Sequence, residues 1–144
     1  MNKENTIKLL RECDAGVKMG ISSIKDVEDH VKSENLAALL CDSKREHEKL
    51  DSEIRELLLK YGGEEKEPNI MAKGMSKMKT GIKLANEDSD NVVADLITDG
   101  CNMGVKSLHR YLNEYSDAAD DAKDITKRLV NIEERLIIDI RGYL

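Results

Sequence analysis

The sequence predicts an all-α domain, a four-helix bundle made from a duplicated helical hairpin with a long crossover between the copies. Three observations carry this. A pattern occurs twice: Gly16-Val17-Lys18-Met19-Gly20-Ile21-Ser22-Ser23-Ile24, then Gly100-Cys101-Asn102-Met103-Gly104-Val105-Lys106-Ser107-Leu108, 84 positions later. Both fit Gly-x-x-Met-Gly-aliphatic-x-Ser-aliphatic. The composition is 36% charged and 3% aromatic with no Phe or Trp, so the core is left to Leu, Ile, Val, Met and Ala, a helical rather than a sheet composition. Finally, apolar residues recur three and four positions apart along four stretches, the spacing of one helix face.

The first stretch gives a helix from about Asn5 to Val31 with the seam Ile7, Leu10, Asp14, Val17, Ile21, Ile24, Glu28 and Val31. Ser33 is placed to cap the second helix, because its hydroxyl can accept from an orphan N–H of the following turn. That helix runs to Tyr61 along the seam Leu36, Leu40, Ser43, His47, Leu50, Ile54, Leu57 and Tyr61, and Gly62-Gly63 ends it. The third helix starts near Asp90, with Ser89 or Asp90 as cap, and ends near Ser116. Its seam is Ala94, Thr98, Cys101, Val105, Leu108, Leu112 and Tyr115. A hinge over 117–120 leads to the fourth helix, which runs to Leu144 with the seam Ala122, Thr126, Leu129, Glu133, Leu136, Ile140 and Tyr143. An offset of 84 relates the first helix to the third, and an offset of 86 relates the second to the fourth.

Residues 62–89 connect the hairpins and include Pro68. A short helix over Asn69 to Leu84 is expected there, with Met71, Met75, Met78 and Ile82 on one face, buried on the bundle, and Lys73, Lys77, Lys79 and Lys83 elsewhere. Such a stripe could also meet a membrane surface or an acidic partner. Two hairpins joined by one long crossover describe the ferritin-like arrangement, since an up-down-up-down bundle has only short loops. One domain spanning 1–144 is expected.

The chain also resembles a bacterial family of ferritin-like proteins of unknown function. The motifs that carry the resemblance are Cys13-Asp14-Ala15-Gly16-Val17-Lys18-Met19-Gly20-Ile21, Glu67-Pro68-Asn69-Ile70-Met71-Ala72-Lys73, Asn102-Met103-Gly104-Val105 and Leu112-Asn113-Glu114-Tyr115. True ferritins share the topology and hold iron with Glu and Glu-x-x-His side chains. Here Lys44 stands where that pattern would put Glu ahead of His47, and Leu136 stands where it would put His after Glu133.

Two features suggest roles. Glycine inside a helix costs roughly 0.5–1 kcal/mol against alanine, so Gly16/Gly20 and Gly100/Gly104 are expected to let the first and third helices approach closely, antiparallel. Asp14, His47, Thr98 and Glu133 are polar residues in otherwise apolar seams. They form either a buried hydrogen-bond network, as buried charge requires, or a degenerate iron or manganese site with Asp14, His47 and Glu133 as ligands. Counting from the hinges puts His47 and Glu133 at one level in the bundle centre, facing each other, with the imidazole held charged by the carboxylate. Asp14 falls about one turn away.

Charge and cysteine usage bound the rest. A net charge of −6 argues against nucleic-acid binding. Cys13, Cys41 and Cys101 are scattered, with no Cys-x-x-Cys, which suits reduced thiols in the cytoplasm. No apolar run approaches the ~20 residues of a membrane span. His30 and His109 lie off the seams and are expected at the surface. The expected function is that of a non-catalytic homodimer acting through protein contacts, with no cofactor; the alternative is the metal-binding protein.

Overall fold

The computed structural model describes residues 1–64 and 89–144. Four long helices account for nearly all of them: α1 (Lys3–Glu28), α2 (Glu34–Tyr61), α3 (Asp90–Glu114) and α4 (Asp120–Ile140), followed by a 3-10 turn, Arg141–Tyr143. No strand occurs among the described residues. The expected crossover helix, and the burial of Met71, Met75, Met78 and Ile82, lie outside the described residues.

Local chemistry sets the helix ends. Asn2 caps α1 by accepting the Asn5 N–H through Oδ1 at 3.0 Å. Ser33 caps α2, its Oγ accepting the Leu36 N–H at 3.2 Å. Gly62 ends α2 in the left-handed region at φ 77, which glycine adopts without strain. Two ends fall short of expectation. The chain leaves α1 after Glu28 because the Ser33 cap needs extended backbone, φ −71 and ψ 126. α4 gives way after Ile140 to a turn containing Gly142, which lets Tyr143 fold back against the core.

Within the bundle α1 packs most extensively on α2, and α3 on α4. The hairpins then face each other through α1 on α3 and α2 on α4, while α1 also reaches α4 across the diagonal. The start of α1 meets the end of α3, where the Asn2 N–H donates to the Asp117 carbonyl at 2.8 Å. The α1–α2 hinge meets the start of α3. Both facing pairs are therefore antiparallel: Lys60 and Tyr61 at the end of α2 bond to Asp121 at the start of α4, and Arg128–Glu53 and Arg135–Glu46 continue the register between them. Glu64 accepts from Arg11 at the α1-start end through its carbonyl, whereas Ser89 opens α3 at the opposite end. Residues 64 and 89 thus stand at opposite ends of the bundle, the placement expected of a ferritin-like four-helix bundle.

Every residue of the four predicted seams within the described range is buried or half-buried except Glu28, which lies at the open end of α1 and pairs with Lys44 at 2.9 Å. Two apolar clusters result. One, at the α1-start end, contains Leu9, Leu10, Val17, Leu50, Ile54, Leu108 and Leu129. The other contains Ile24, Val27, Leu36, Leu40, Val92, Ile97, Leu136 and Ile140.

The duplication reappears in the hinges. At one end the Asp90 carboxylate accepts the N–H groups of Lys32 and Ser33, at 2.7 and 3.0 Å. At the other, Thr6 Oγ1 accepts the Ala119 N–H at 2.8 Å. Thr6 and Asp90 are 84 positions apart, and Ser33 and Ala119 are 86 apart. The first helix of each hairpin thus staples the opposite hinge through the same structural position. Asp90 cannot also cap its own helix, and Ser89 stands at the α3 N-cap without a side-chain cap bond. Asp90→Ala strips both hinge amides of their acceptor and should lower stability by about 0.5–2 kcal/mol, measured by urea denaturation. Thr6→Val should act in the same direction, and unchanged midpoints in both would show that the staples contribute nothing.

Candidate functional site

Between the two apolar clusters lies a polar layer formed by α2 and α4. His47 is 1% exposed and Glu133 8%. His47 projects inward because it shares a helix face with Leu40, Ser43, Leu50 and Ile54, and Glu133 shares one with Thr126, Leu129, Leu136 and Ile140. The antiparallel register of α2 and α4 brings the two side chains level. His47 Nε2 and Glu133 Oε1 are 2.7 Å apart, and His47 Nδ1 is 2.7 Å from the Ser43 carbonyl.

This geometry sets the charge. A backbone carbonyl can only accept, so Nδ1 must carry a proton. With Nε2 against a carboxylate, the arrangement suits an imidazolium donating from both nitrogens. Burial opposes that charge, but the Glu133 carboxylate and the Ser43 carbonyl together outweigh it and hold the imidazole above its ordinary value.

The glycines serve this layer. A Cβ on Gly20 would stand 2.9 Å from His47 Cδ2 and 3.0 Å from Nε2, and one on Gly104 would stand 3.8 Å from the Glu133 carboxyl. Each glycine therefore clears space for the polar residue of its own hairpin partner. The expected contact of Gly16/Gly20 against Gly100/Gly104 is corrected: a Cβ on Gly16 would meet Leu129 at 3.9 Å, and nothing lies within 4 Å of one on Gly100. α1 and α3 do pack antiparallel, but the gap left by the missing side chains is filled by an imidazole and a carboxylate rather than by facing backbone.

Asp14 takes a different place. It is fully buried, and its Oδ2 lies 3.0 Å from Lys18 Nζ, one turn along α1. Across the α1–α2 interface its carboxyl stands close to that of Asp51, which is itself 3% exposed and paired with Arg55. Neither Asp14 oxygen nor Asp51 Oδ1 makes a hydrogen bond of good geometry; Lys18 meets Asp14 Oδ2 as an ion pair, and two ionised carboxylates offer each other only acceptors. Burial first, and Asp51 second, push the Asp14 carboxyl up to about 6 against the opposing effect of Lys18. The seam spacing does not mark Asp51. Its signal was present in the i, i+4 spacings His47, Asp51, Arg55, but it lies beside the seam residue Leu50 rather than on the seam.

The other candidates fall as follows. The Thr98 Oγ1 is buried without a partner. Cys101 is buried beside Glu133, and burial and the carboxylate both push its thiol up. Cys13 touches Thr126 Oγ1 at 3.1 Å, and burial raises its thiol to about 12, which makes it inert as a nucleophile. His109 is exposed, whereas His30 is half-buried at the α1–α2 hinge. For a metal, the centre offers one imidazole and one carboxylate already satisfied by each other. Among the described residues no three His, Cys, Asp or Glu side chains converge to hold an ion. The set Asp14, His47 and Glu133 is thus divided between two clusters, and as folded here these residues do not fit a resident metal.

No family model matches the chain, and no curated protein matches it. Among solved structures, the chain is similar to the crystal structure of Dps92 from Deinococcus radiodurans, with a TM-score of 0.77 at 13% identity over 99% of this chain and 87% of that one. At that identity the likeness is one of fold. It agrees with the ferritin-like topology and supports the resemblance drawn from the motifs at that level.

Two substitutions separate the roles of the glycines. Gly20→Ala drives a methyl into the His47 ring and should cost on the order of 1–3 kcal/mol by overpacking. Gly100→Ala meets open space in a helix interior and should stabilise by roughly 0.5–1 kcal/mol. Equal effects in urea titrations would refute the assignment. For the pair itself, the His47 imidazole should titrate above 6.5 by NMR in the wild type and shift down in Glu133→Gln.

Proposed function

We propose that this bundle is non-catalytic and acts through contacts with other proteins, as a homodimer. The observation that supports this most is the closure of its centre. Both His47 nitrogens are engaged, Glu133 holds one of them, and the ring fills the space that a side chain at Gly20 would need. The polar layer is spent on holding the hairpins together, which leaves the outer surface to carry the function. Leu59 (78% exposed), Met103 (68%) and Ile138 (56%) stand out on that surface, on α2, α3 and α4. A net charge of −6 disfavours nucleic acid as the partner. No helix among the described residues is long and apolar enough to cross a membrane. The free thiols of Cys13, Cys41 and Cys101 are compatible with a reducing compartment such as the cytoplasm.

A second reading, binding of iron or manganese at the same centre, is favoured by one detail. The Ser43 carbonyl fixes Nδ1 and aims Nε2 inward, the orientation that metal-ligating histidines take. It retains His47 and Glu133 as ligands, leaves out Asp14, which is engaged by Lys18 and Asp51, and requires a further ligand.

Light scattering coupled to size-exclusion chromatography, with metal analysis of the same fractions, tests both readings. The expected result is a metal-free dimer whose stability is unaffected by a chelator and which shifts toward monomer on introducing Glu at Leu59, Met103 or Ile138. A monomer at all concentrations would overturn the homodimer. One tightly held metal ion per chain, lost in His47→Ala, would establish the second reading.

A further inference from the structure

The carboxyl pair on α1 and α2 is used by neither reading. We infer that Asp14 and Asp51 share one proton and form a latch between α1 and α2 that holds in mild acid and weakens as the pH rises through neutrality. The case is geometric. Asp14 and Asp51 are 0% and 3% exposed, lie on adjacent antiparallel helices, and stand close enough for Asp51 to raise the Asp14 carboxyl. Asp14 Oδ1 and Asp51 Oδ1 make no hydrogen bond, and Asp14 Oδ2 meets Lys18 only as an ion pair. A hydrogen bond between two carboxyls exists only if one carries a proton, and a single proton there converts two facing acceptors into a donor and an acceptor.

The surroundings favour a proton over a metal. Lys18 of α1 reaches Asp14, and Arg55 of α2 reaches Asp51. With one cationic side chain on each carboxyl, the two negative charges are already balanced, and a divalent ion would find only these two carboxyls as ligands among the described residues. The remaining titratable groups nearby are committed elsewhere. Cys13 on α1 bonds Thr126 of α4, His47 lies one turn back along α2, and Glu133 of α4 is turned to His47.

Linkage gives the direction of the effect. Asp14 binds its proton more tightly folded than unfolded, so folding takes up a proton between those two values. The stability this contributes is fully present below the ordinary value of 3.8 and is lost as the pH rises through about 6. Above that, two buried carboxylates face each other across the α1–α2 seam, with Lys18 and Arg55 offsetting them among the described residues. Surface carboxylates paired in the fold act in the opposite sense. Those of Glu53, Asp117 and Asp121 are held low by their partners and lose their contribution only at more acid pH.

Asp14→Asn tests the latch. The amide is nearly isosteric with a protonated carboxyl and donates permanently to Asp51. Thermal melts of the full chain at several pH values should show the wild type losing Tm between pH 5 and pH 8 (about one unit below and two above the Asp14 value). The variant should lose less and melt above the wild type at pH 8. A Tm lowered equally at both pH values would mean that Asp14 is merely structural and would overturn the latch. Carboxyl carbon NMR of the unmutated protein gives an independent readout. An Asp14 signal titrating near 6 supports the shared proton; one titrating at the ordinary carboxylate value of 3.8 excludes it.

Discussion

The structure turns on one contact, the 2.7 Å approach of His47 Nε2 to Glu133 Oε1 in the middle of the bundle. It is the buried polar bond that joins the two hairpins at their centre, and it separates the two apolar clusters. Replacing such a pair by well-packed apolar residues is often neutral or stabilising, but removing one partner alone typically costs about 3–5 kcal/mol. The pair is therefore better understood as setting register than as supplying stability. If the second hairpin slid one turn against the first, Leu50 or Ser43 would face Glu133 and a lone carboxylate would be buried. The apolar seams alone, built of interchangeable Leu and Ile, would resist that shift far less.

The register extends to both ends by related means. The duplication relates Thr6 to Asp90 and Ser33 to Ala119, and the bonds from Asp90 to Ser33 and from Thr6 to Ala119 are the two images of one interaction. It also relates His47 to Glu133 and Gly20 to Gly104. The central contact is thus a residue position meeting its own copy across the pseudo-twofold axis. Such self-contact is possible only near an axis, and two identical groups of one charge could not occupy it together. Divergence of one copy to His and the other to Glu turns a forced repulsion into an attraction. The glycine beside each leaves the room it needs, and Gly20 does so with no space to spare.

Most of the fold was legible in the sequence because burial repeats with the helix period and caps are chemical. The seams, the Ser33 cap, the Gly62 stop and the hinge positions are all local signals. The level of His47 with Glu133 was also legible, because helix rise converts a residue count from a hinge directly into height. What sequence spacing does not encode is azimuth. A small-x-x-x-small motif shows that something approaches a helix closely without showing what, and here the visitor is a side chain from the neighbouring helix of the same hairpin. Asp51 escapes the seam pattern for a related reason. A residue at the flank of a seam is buried only where the adjacent helix leans over it, and that lean depends on packing set by other residues.

The two buried polar clusters differ in kind, and the duplication shows how. The central pair needs both hairpins, one residue from each copy. The carboxyl pair belongs to the first hairpin alone: its images in the second are Thr98 and Ile137, an uncharged hydroxyl and a partly buried apolar side chain. Asp14 and Asp51 are thus not remnants of a symmetric site, since nothing in the second copy answers them. Whatever the ancestral hairpin carried at these positions, one copy now holds an ordinary interior and the other holds two carboxyls out of water at the cost of desolvating them. Structural economy does not account for that asymmetry, because the second hairpin folds with the same helix geometry without them. It places the chemically unusual feature of the chain in the α1–α2 interface, on the side of the central layer toward the start of α1, where a change in one proton alters how firmly the two helices of the first hairpin hold together.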